Sequence, residues 1–253
     1  TMGALHQGHL SIVKKAKKEN DFIVVSIFIN PTQFDKADDL KAYPKTIDND
    51  LGLLKDVHCD FVFIPDVEDI YPENVKSSNF DFDDLDKVME GAFRDGHFDG
   101  VGTVVKRLFE IIEPTKAYFG EKDFQQLQII KKMVEKDHMA VQIVPCEIYR
   151  EKDGLAMSSR NTRLSEEQRK EAPLIQQTLL KCKSIYAERK ISNIKKMVED
   201  TFKDNDILDL EYFEIADVQT LLSTNDKLPN IKYRAFIAVF AGKIRLIDNI
   251  ALN

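Results

Sequence analysis

Long apolar runs are missing from this chain: no stretch approaches the roughly 18 residues that a membrane-crossing helix requires, so no membrane span is expected. The opening residues, Thr1-Met2-Gly3-Ala4-Leu5, lack the charged start, apolar middle and small-residue cleavage site of an export leader. Cysteine is scarce. Cys59, Cys146 and Cys182 are odd in number and widely spaced, and they form no CxxC pair. That argues against a disulfide framework and for reduced thiols in apolar surroundings, with a cytoplasmic location as the default. Positive charge is not in excess either, with 36 Lys+Arg against 43 Asp+Glu and a formal net charge of −7. The general basic face of a nucleic-acid binder is therefore not expected. Anionic substrates remain open to the chain if a local cluster of cations and backbone amides holds them.

What is present is the material for real cores. The chain has 253 residues, 43% of them hydrophobic and 31% charged, which suits one large or two modest domains. Thr1 to Leu5 reads as a strand leaving for a loop, and a helix follows from about Gly8 to Asn20. Phe22 to Ile29 (FIVVSIFI) is an unbroken Val- and Ile-rich run, the mark of a strand buried on both faces in a parallel sheet. Asn30-Pro31 closes it, because proline cannot donate to a ladder. The alternation then continues with helices at about Thr46–Val57, Gly102–Ile112 and Phe124–Lys136, and strands at Phe61–Ile64, Lys116–Phe119 and Val141–Val144. Strands alternating with helices of this length imply right-handed βαβ units.

After about Arg150 the texture changes. Ser165-Glu166-Glu167-Gln168 fits a capping box, and Pro173 must kink or restart the helix behind it. A helix at about Ser192–Phe202 precedes strand-like runs at Leu210–Ile215, Tyr233–Phe240 and Ile244–Ile250, the last two joined by a tight Ala241-Gly242-Lys243 turn. The expected fold is α/β: a Rossmann-like parallel-sheet domain over residues 1–148, then a smaller α+β domain over 149–253.

Four constellations carry chemistry, and each also has a plain structural reading. His6-Gln7-Gly8-His9 opens a helix, whose unpaired N–H groups and partial positive charge attract phosphate. Its two imidazoles share one face of the first turn, and Gly8 lets a nucleotide approach the backbone; the plain alternative is a pair of unrelated surface or capping histidines. Gly120-Glu121-Lys122-Asp123 with Gln125 and Gln126 again joins a strand to a helix. Gly120 frees the turn and Lys122 can meet a phosphate, although Asp123 would also serve as an ordinary N-cap. Met157-Ser158-Ser159-Arg160-Asn161, preceded by Arg150-Glu151-Lys152-Asp153-Gly154, is either a donor-rich loop or a solvated linker. Asn30-Pro31-Thr32-Gln33-Phe34 stands at the carboxyl end of a strand, where open parallel sheets bind ligands, or is simply a turn in which Asn30 bonds its own backbone.

In this order TMGALHQGH, INPTQF, GHFDGVGTVV, YFGEKDFQQ, DGLAMSSRN and the closing RLIDNIAL resemble the pantothenate synthetases over essentially the whole chain. HxGH and the serine–arginine loop are also similar, more distantly, to the wider nucleotidyltransferase superfamily. The resemblance implies an ATP-dependent ligase that converts pantoate to its adenylate and joins it to β-alanine, in a cytoplasmic homodimer that uses Mg²⁺. It implies that Met2, Gly3, Ala4, Leu5, His6, Gln7, Gly8 and His9 line the ATP site, with His9 catalytic and His6 assisting. Gly120, Glu121, Lys122 and Asp123 would also meet nucleotide, as would Tyr149 and the loop of Met157, Ser158, Ser159 and Arg160, with Lys122 and Arg160 stabilising charge. Gln33 and Gln126 would hold pantoate beside Asn30, and Gln33 would border the β-alanine site. Two departures stand out. Where the family often places two aspartates and a glutamine near magnesium, this chain has Asn49, Asp50 and Leu53, leaving Asp50 as an indirect metal candidate. The family's first strand and helix also precede the point where Thr1 stands, so a sheet lacking one central strand is expected. An adenylyltransferase and a nucleotide-binding regulatory module without catalysis are the competing readings.

Overall fold

A computed structural model describes residues 3–33 and 46–253; Thr1, Met2 and Phe34 lie outside the described residues, and with Met2 goes its expected contact with ATP. The chain divides into two compact units, Thr1–Glu147 and Ile148–Asn253. The fold is mixed α/β, with parallel strand pairs in the first unit and an antiparallel sheet in the second.

In the first unit, helix α1 (Gln7–Glu19) leads to strand β1 (Val24–Ser26), and a 3-10 turn at Pro31–Gln33 follows. Helix α2 (Ile47–Asp56), strand β2 (Phe61–Phe63) and the short helices α3 (Val67–Ile70) and α4 (Met89–Phe93) come next. Helix α5 (His97–Ile112), strand β3 (Lys116–Gly120), helix α6 (Phe124–Lys136) and strand β4 (Gln142–Cys146) complete it. The strands form two parallel pairs, β1 with β2 and β3 with β4, rather than one continuous sheet among the described residues.

The FIVVSIFI run differs from expectation. Only its middle is a laddered strand, and its first half alternates, with Ile23, Val25 and Ile27 buried while Phe22 is 72% and Val24 42% exposed. Successive strand side chains point to opposite faces, and the apolar cluster of Leu10, Val13, Ala16 and Leu54 covers the face that carries Ile23, Val25 and Ile27. Helix α5 also begins five residues earlier than its periodicity suggests, behind Gly96, a left-handed N-cap with φ +68°. Gly100 and Gly102 therefore lie inside the helix, where glycine is ordinarily unfavourable. Close packing explains their presence. A Cβ on Gly100 would sit 2.7 Å from the Thr32 carbonyl oxygen, and one on Gly102 would sit 2.9 Å from the Phe80 ring.

In the second unit, α7 (Glu166–Glu171) starts in the Ser165/Gln168 capping box and gives way at Pro173 to α8 (Leu174–Ile185) and then α9 (Ile191–Phe202). Strands β5 (Leu208–Asp217), β6 (Tyr233–Ala241) and β7 (Ile244–Ala251) form an antiparallel sheet in that order. Helix residues such as Ile175, Leu179, Ile194 and Val198 share one core with Ile215, Ile237 and Val239 of the sheet. The β6–β7 turn passes through Gly242 at φ +61°.

Gly100→Ala should lower the unfolding free energy by about 1–3 kcal/mol, since an added methyl must displace backbone. Gly52→Ala serves as its control. That added Cβ meets nothing within 4 Å on α2, so it should stabilise by roughly 0.5–1 kcal/mol. Urea unfolding of the two variants checks both signs.

Candidate active site

Helix α1 starts where it does because His6 is extended, with φ −142° and ψ 174°, while its carbonyl accepts from the N–H groups of His9 and Leu10. The His6 N–H donates to Nδ1 of His9 at 3.3 Å, and the two rings stack with centroids 3.9 Å apart. Burial lowers the pKa of His9 to about 3, with the neighbouring His6 and Lys122 acting in the same direction and Asp123 opposing them. His9 is therefore neutral near pH 7. Because Nδ1 accepts a hydrogen bond, its proton resides on Nε2, which can donate to an anionic oxygen. The charge stabilisation expected of His9 is thus that of a neutral donor rather than an imidazolium.

The turn leading into this helix is held from a distance. Ala4 is left-handed, with φ +50°. Its N–H donates to Asp50 Oδ2 at 3.0 Å, and the Leu5 N–H donates to Oδ1 at 2.8 Å. The Thr46 hydroxyl donates to that same Oδ1 at 3.1 Å, and Leu5 is buried in the core beneath. Asp50 is itself buried. No group of three or more His, Cys, Asp or Glu side chains able to hold a metal occurs among the described residues. Asp50, the indirect metal candidate, has both oxygens committed to the Ala4, Leu5 and Thr46 donors among the described residues.

The exit of strand β3 runs beside α1, and Lys122 and Asp123 there act electrostatically on His9 in opposite directions. Lys122 lies 3.8 Å from the Asp123 carboxylate, and Asp123 occupies the N-cap position of α6 without a side-chain cap bond. Gly120 departs from expectation. It is extended at φ −72° and ψ 135°, and a Cβ there would make only an ordinary 3.5 Å contact with Ile12, so the turn does not require glycine.

At the β1 exit, Asn30 is buried and both ends of its amide are engaged. Its nitrogen donates to the Gly100 carbonyl at 3.2 Å, while its oxygen accepts from Tyr71 at 2.5 Å and from Thr32 at 3.2 Å. Asn30, expected beside pantoate, thus anchors the loop that contains Gln33. Of the two glutamines opening α6, Gln125 is buried: its oxygen accepts from the Glu90 N–H, and its nitrogen donates to the Leu85 and Val88 carbonyls. Gln126 is half-buried beside it. Sequence spacing carries no signal for the roles of Tyr71, Gln125 or the Asp50 clamp, because each depends on a partner distant along the chain.

In the second unit, the loop through Tyr149 to Arg160 is an ordered element rather than a solvated linker. Leu155 and Ala156 are buried, and Asn161 donates to Glu151 at 2.6 Å and to the Ala156 carbonyl at 3.1 Å. Arg169 binds Glu151 at 2.6 Å and also Asp153, and Arg150 forms a bidentate pair with buried Asp248 at 2.6 and 2.9 Å. Ser158 accepts from the Arg160 N–H at 3.2 Å, opening a 3-10 turn that leaves Arg160 exposed. Ser159 and Met157 are half-buried, and Tyr149 is exposed.

The family model described as Pantoate-beta-alanine ligase matches residues 1–251. A pantothenate synthetase from Flavobacterium psychrophilum is 53% identical over an aligned length of 254 that spans 100% of this chain and 90% of that protein. One from Christiangramia forsetii is 54% identical with the same coverage. Among solved structures, a pantothenate synthetase from Thermus thermophilus superposes with a TM-score of 0.92 at 38% identity, covering 99% of this chain and 91% of that one. A pantoate-beta-alanine ligase from Francisella tularensis, described as complexed with Beta-gamma ATP and beta-alanine, gives a TM-score of 0.77 at 35% identity, covering 99% and 87%.

The His9 ring should remain neutral, protonated at Nε2, from pH 8 down to pH 5, as read from its ¹⁵N chemical shifts. A titration near the ordinary 6.5 would contradict the geometry. The same shift has a stability consequence. Between about pH 6.5 and 3 the unfolded state holds the extra proton, so the His9 contribution is intact above that window and is lost as the pH falls through it.

Proposed function

The chain belongs to the pantoate–β-alanine ligase family, and on that premise we propose that it uses ATP to join the carboxylate of pantoate to the amine of β-alanine. The observation that carries this reading is the family match over residues 1–251, and the electrostatic action of Lys122 and Asp123 on a neutral His9 at the start of a helix agrees with it. A helix amino end, a fixed neutral donor and a flexible cation are together suited to a triphosphate.

The reaction has two steps in this reading. A carboxylate oxygen of pantoate attacks the α-phosphorus; the new O–P bond forms as the bond to the bridging oxygen breaks, and pyrophosphate leaves with its electron pair. Nε2–H of His9 and the Lys122 ammonium meet the charge that gathers on the phosphate oxygens. The amine of β-alanine then attacks the acyl carbon of the adenylate, a C–N bond replaces the C–O bond, AMP leaves and the nitrogen loses a proton. No covalent enzyme intermediate is needed, and the protein acts by positioning and charge stabilisation. Gln33 and Gln126 hold pantoate, Gln33 borders β-alanine, and the Tyr149 and Met157–Arg160 loop contributes nucleotide contacts. Support for these assignments comes from the motifs shared with the family, while the description of the Francisella tularensis complex supports ATP and β-alanine as ligands. Magnesium, when bound, would supply charge neutralisation at the phosphates, and it is an ion that leans on substrate oxygens and water more than on protein ligands. No step is routed through protein ligands to the metal.

We place the enzyme in the cytoplasm as a homodimer, following the family resemblance. No helix among the described residues is long and apolar enough to cross a membrane. The competing adenylyltransferase would leave a stable dinucleotide, whereas this ligase releases AMP and pyrophosphate.

An omission assay tests the whole reading. Pyrophosphate should form only when ATP and pantoate are both present, and AMP should accumulate only when β-alanine is added. Accumulation of a dinucleotide, or pyrophosphate release without pantoate, would count against it. Within that reaction, His9→Ala and Lys122→Ala should each slow adenylate formation by about 10²–10³, the usual cost of removing one placed donor. A folded His9→Ala enzyme with near-normal turnover would take His9 out of the mechanism.

A further inference from the structure

The segment that the family resemblance puts near magnesium is built differently in this chain. Asn49 is exposed, Leu53 packs against the apolar cluster under α1, and Asp50 between them is only 1% exposed. Both Asp50 oxygens face inward onto a turn 45 or more residues away, accepting from Ala4 N–H at 3.0 Å and Leu5 N–H at 2.8 Å. We propose that Asp50 is a positioning residue whose carboxylate clamps the backbone of Ala4 and Leu5, so that the nucleotide loop is held ready for ATP before it binds.

Three features carry the argument. Ala4 adopts φ +50°, a region that a residue with a Cβ visits only when its surroundings over-determine it. Two consecutive N–H groups aimed at one carboxylate supply that determination, and hydrogen bonds to an ionised acceptor are roughly twice as strong as neutral ones. Thr46, one helical turn before Asp50, donates to the same oxygen that Leu5 uses, which fixes the carboxylate rotamer. The clamped turn ends at His6, whose N–H sets the His9 tautomer. Asp50 therefore reaches the nucleotide through Ala4, Leu5 and His6 without needing to touch it. A carboxylate drawn away to a metal would release the turn.

This inference rests on the reading that the loop from Gly3 to His9 binds ATP. Asp50→Asn keeps the side-chain size but replaces one of the two acceptor oxygens by a donor, so one clamped N–H loses its partner. The loop then occupies its competent form less often, and the KM for ATP should rise by about tenfold while that for pantoate stays near normal. The Mg²⁺ concentration giving half-maximal rate at saturating ATP should not move. Glycine adopts φ +50° without steric penalty, so adding Ala4→Gly to Asp50→Asn should recover at least about threefold of the lost ATP affinity. A raised Mg²⁺ requirement that Ala4→Gly leaves uncorrected would make Asp50 a metal ligand and overturn the clamp. If Asp50→Asn does not fold, Thr46→Val decides: it removes only the supporting hydroxyl and should raise the KM for ATP about two- to threefold, whereas a normal KM overturns the proposal. His9→Ala in the same assay separates the two claims. Normal turnover there removes the ATP-site reading itself. A crippled His9→Ala beside an Asp50→Asn enzyme with normal ATP KM removes the clamp alone.

Discussion

A carboxylate taken out of water must be met by donors, and in this molecule the donors that meet Asp50 are the backbone N–H groups of the turn that begins the nucleotide loop. Much of the candidate site follows from that constraint. With Ala4 fixed in a left-handed conformation and Leu5 buried, the chain enters α1 at His6 in the extended form of an N-cap residue. The stacked His6 and His9 rings come next, and burial keeps His9 neutral. A neutral donor can meet a developing negative charge without the desolvation cost that a buried imidazolium would carry.

The same device shapes the loop at the end of β1. Asn30 has both ends of its amide committed inside the protein, which ties that loop to Tyr71 and to the carbonyl of Gly100. Gln125 does comparable work for the segment around Glu90, while its neighbour Gln126 stays half-buried on the first turn of α6. Buried amides such as these place the loops. An amide is suited to placement because it both donates and accepts, so one side chain can satisfy two backbone segments at once.

In the second unit, placement is ionic. Asp248 on β7 holds Arg150 in a two-pronged pair, and Arg169 on α7 gathers Glu151 and Asp153. Asn161 closes the loop from within. Such charge pairs are poor evidence of net stability: desolvation offsets much of the attraction at buried Asp248, and solvent screens the more exposed Arg169 pairs. They do fix geometry, and here they hold a serine–arginine segment in a defined shape with the Arg160 side chain left exposed.

Helix boundaries other than the start of α5, the capping box at Ser165, the restart at Pro173 and the β6–β7 turn were legible in the chain, because each is set by neighbours within a few residues. The HxGH, GEKD and MSSRN motifs were legible for a similar reason: a helix amino end and a strand-exit turn bring their own local chemistry. The tertiary structure decided what depends on distant partners. It made Asp50 a clamp on the Ala4 turn, turned Asn30 and Gln125 inward, kept Phe22 and Val24 of an apolar strand exposed, and placed Gly100 against a backbone carbonyl. Residue type and spacing name the groups able to do chemistry, whereas burial and long-range hydrogen bonds determine which of them remain available and in what protonation state.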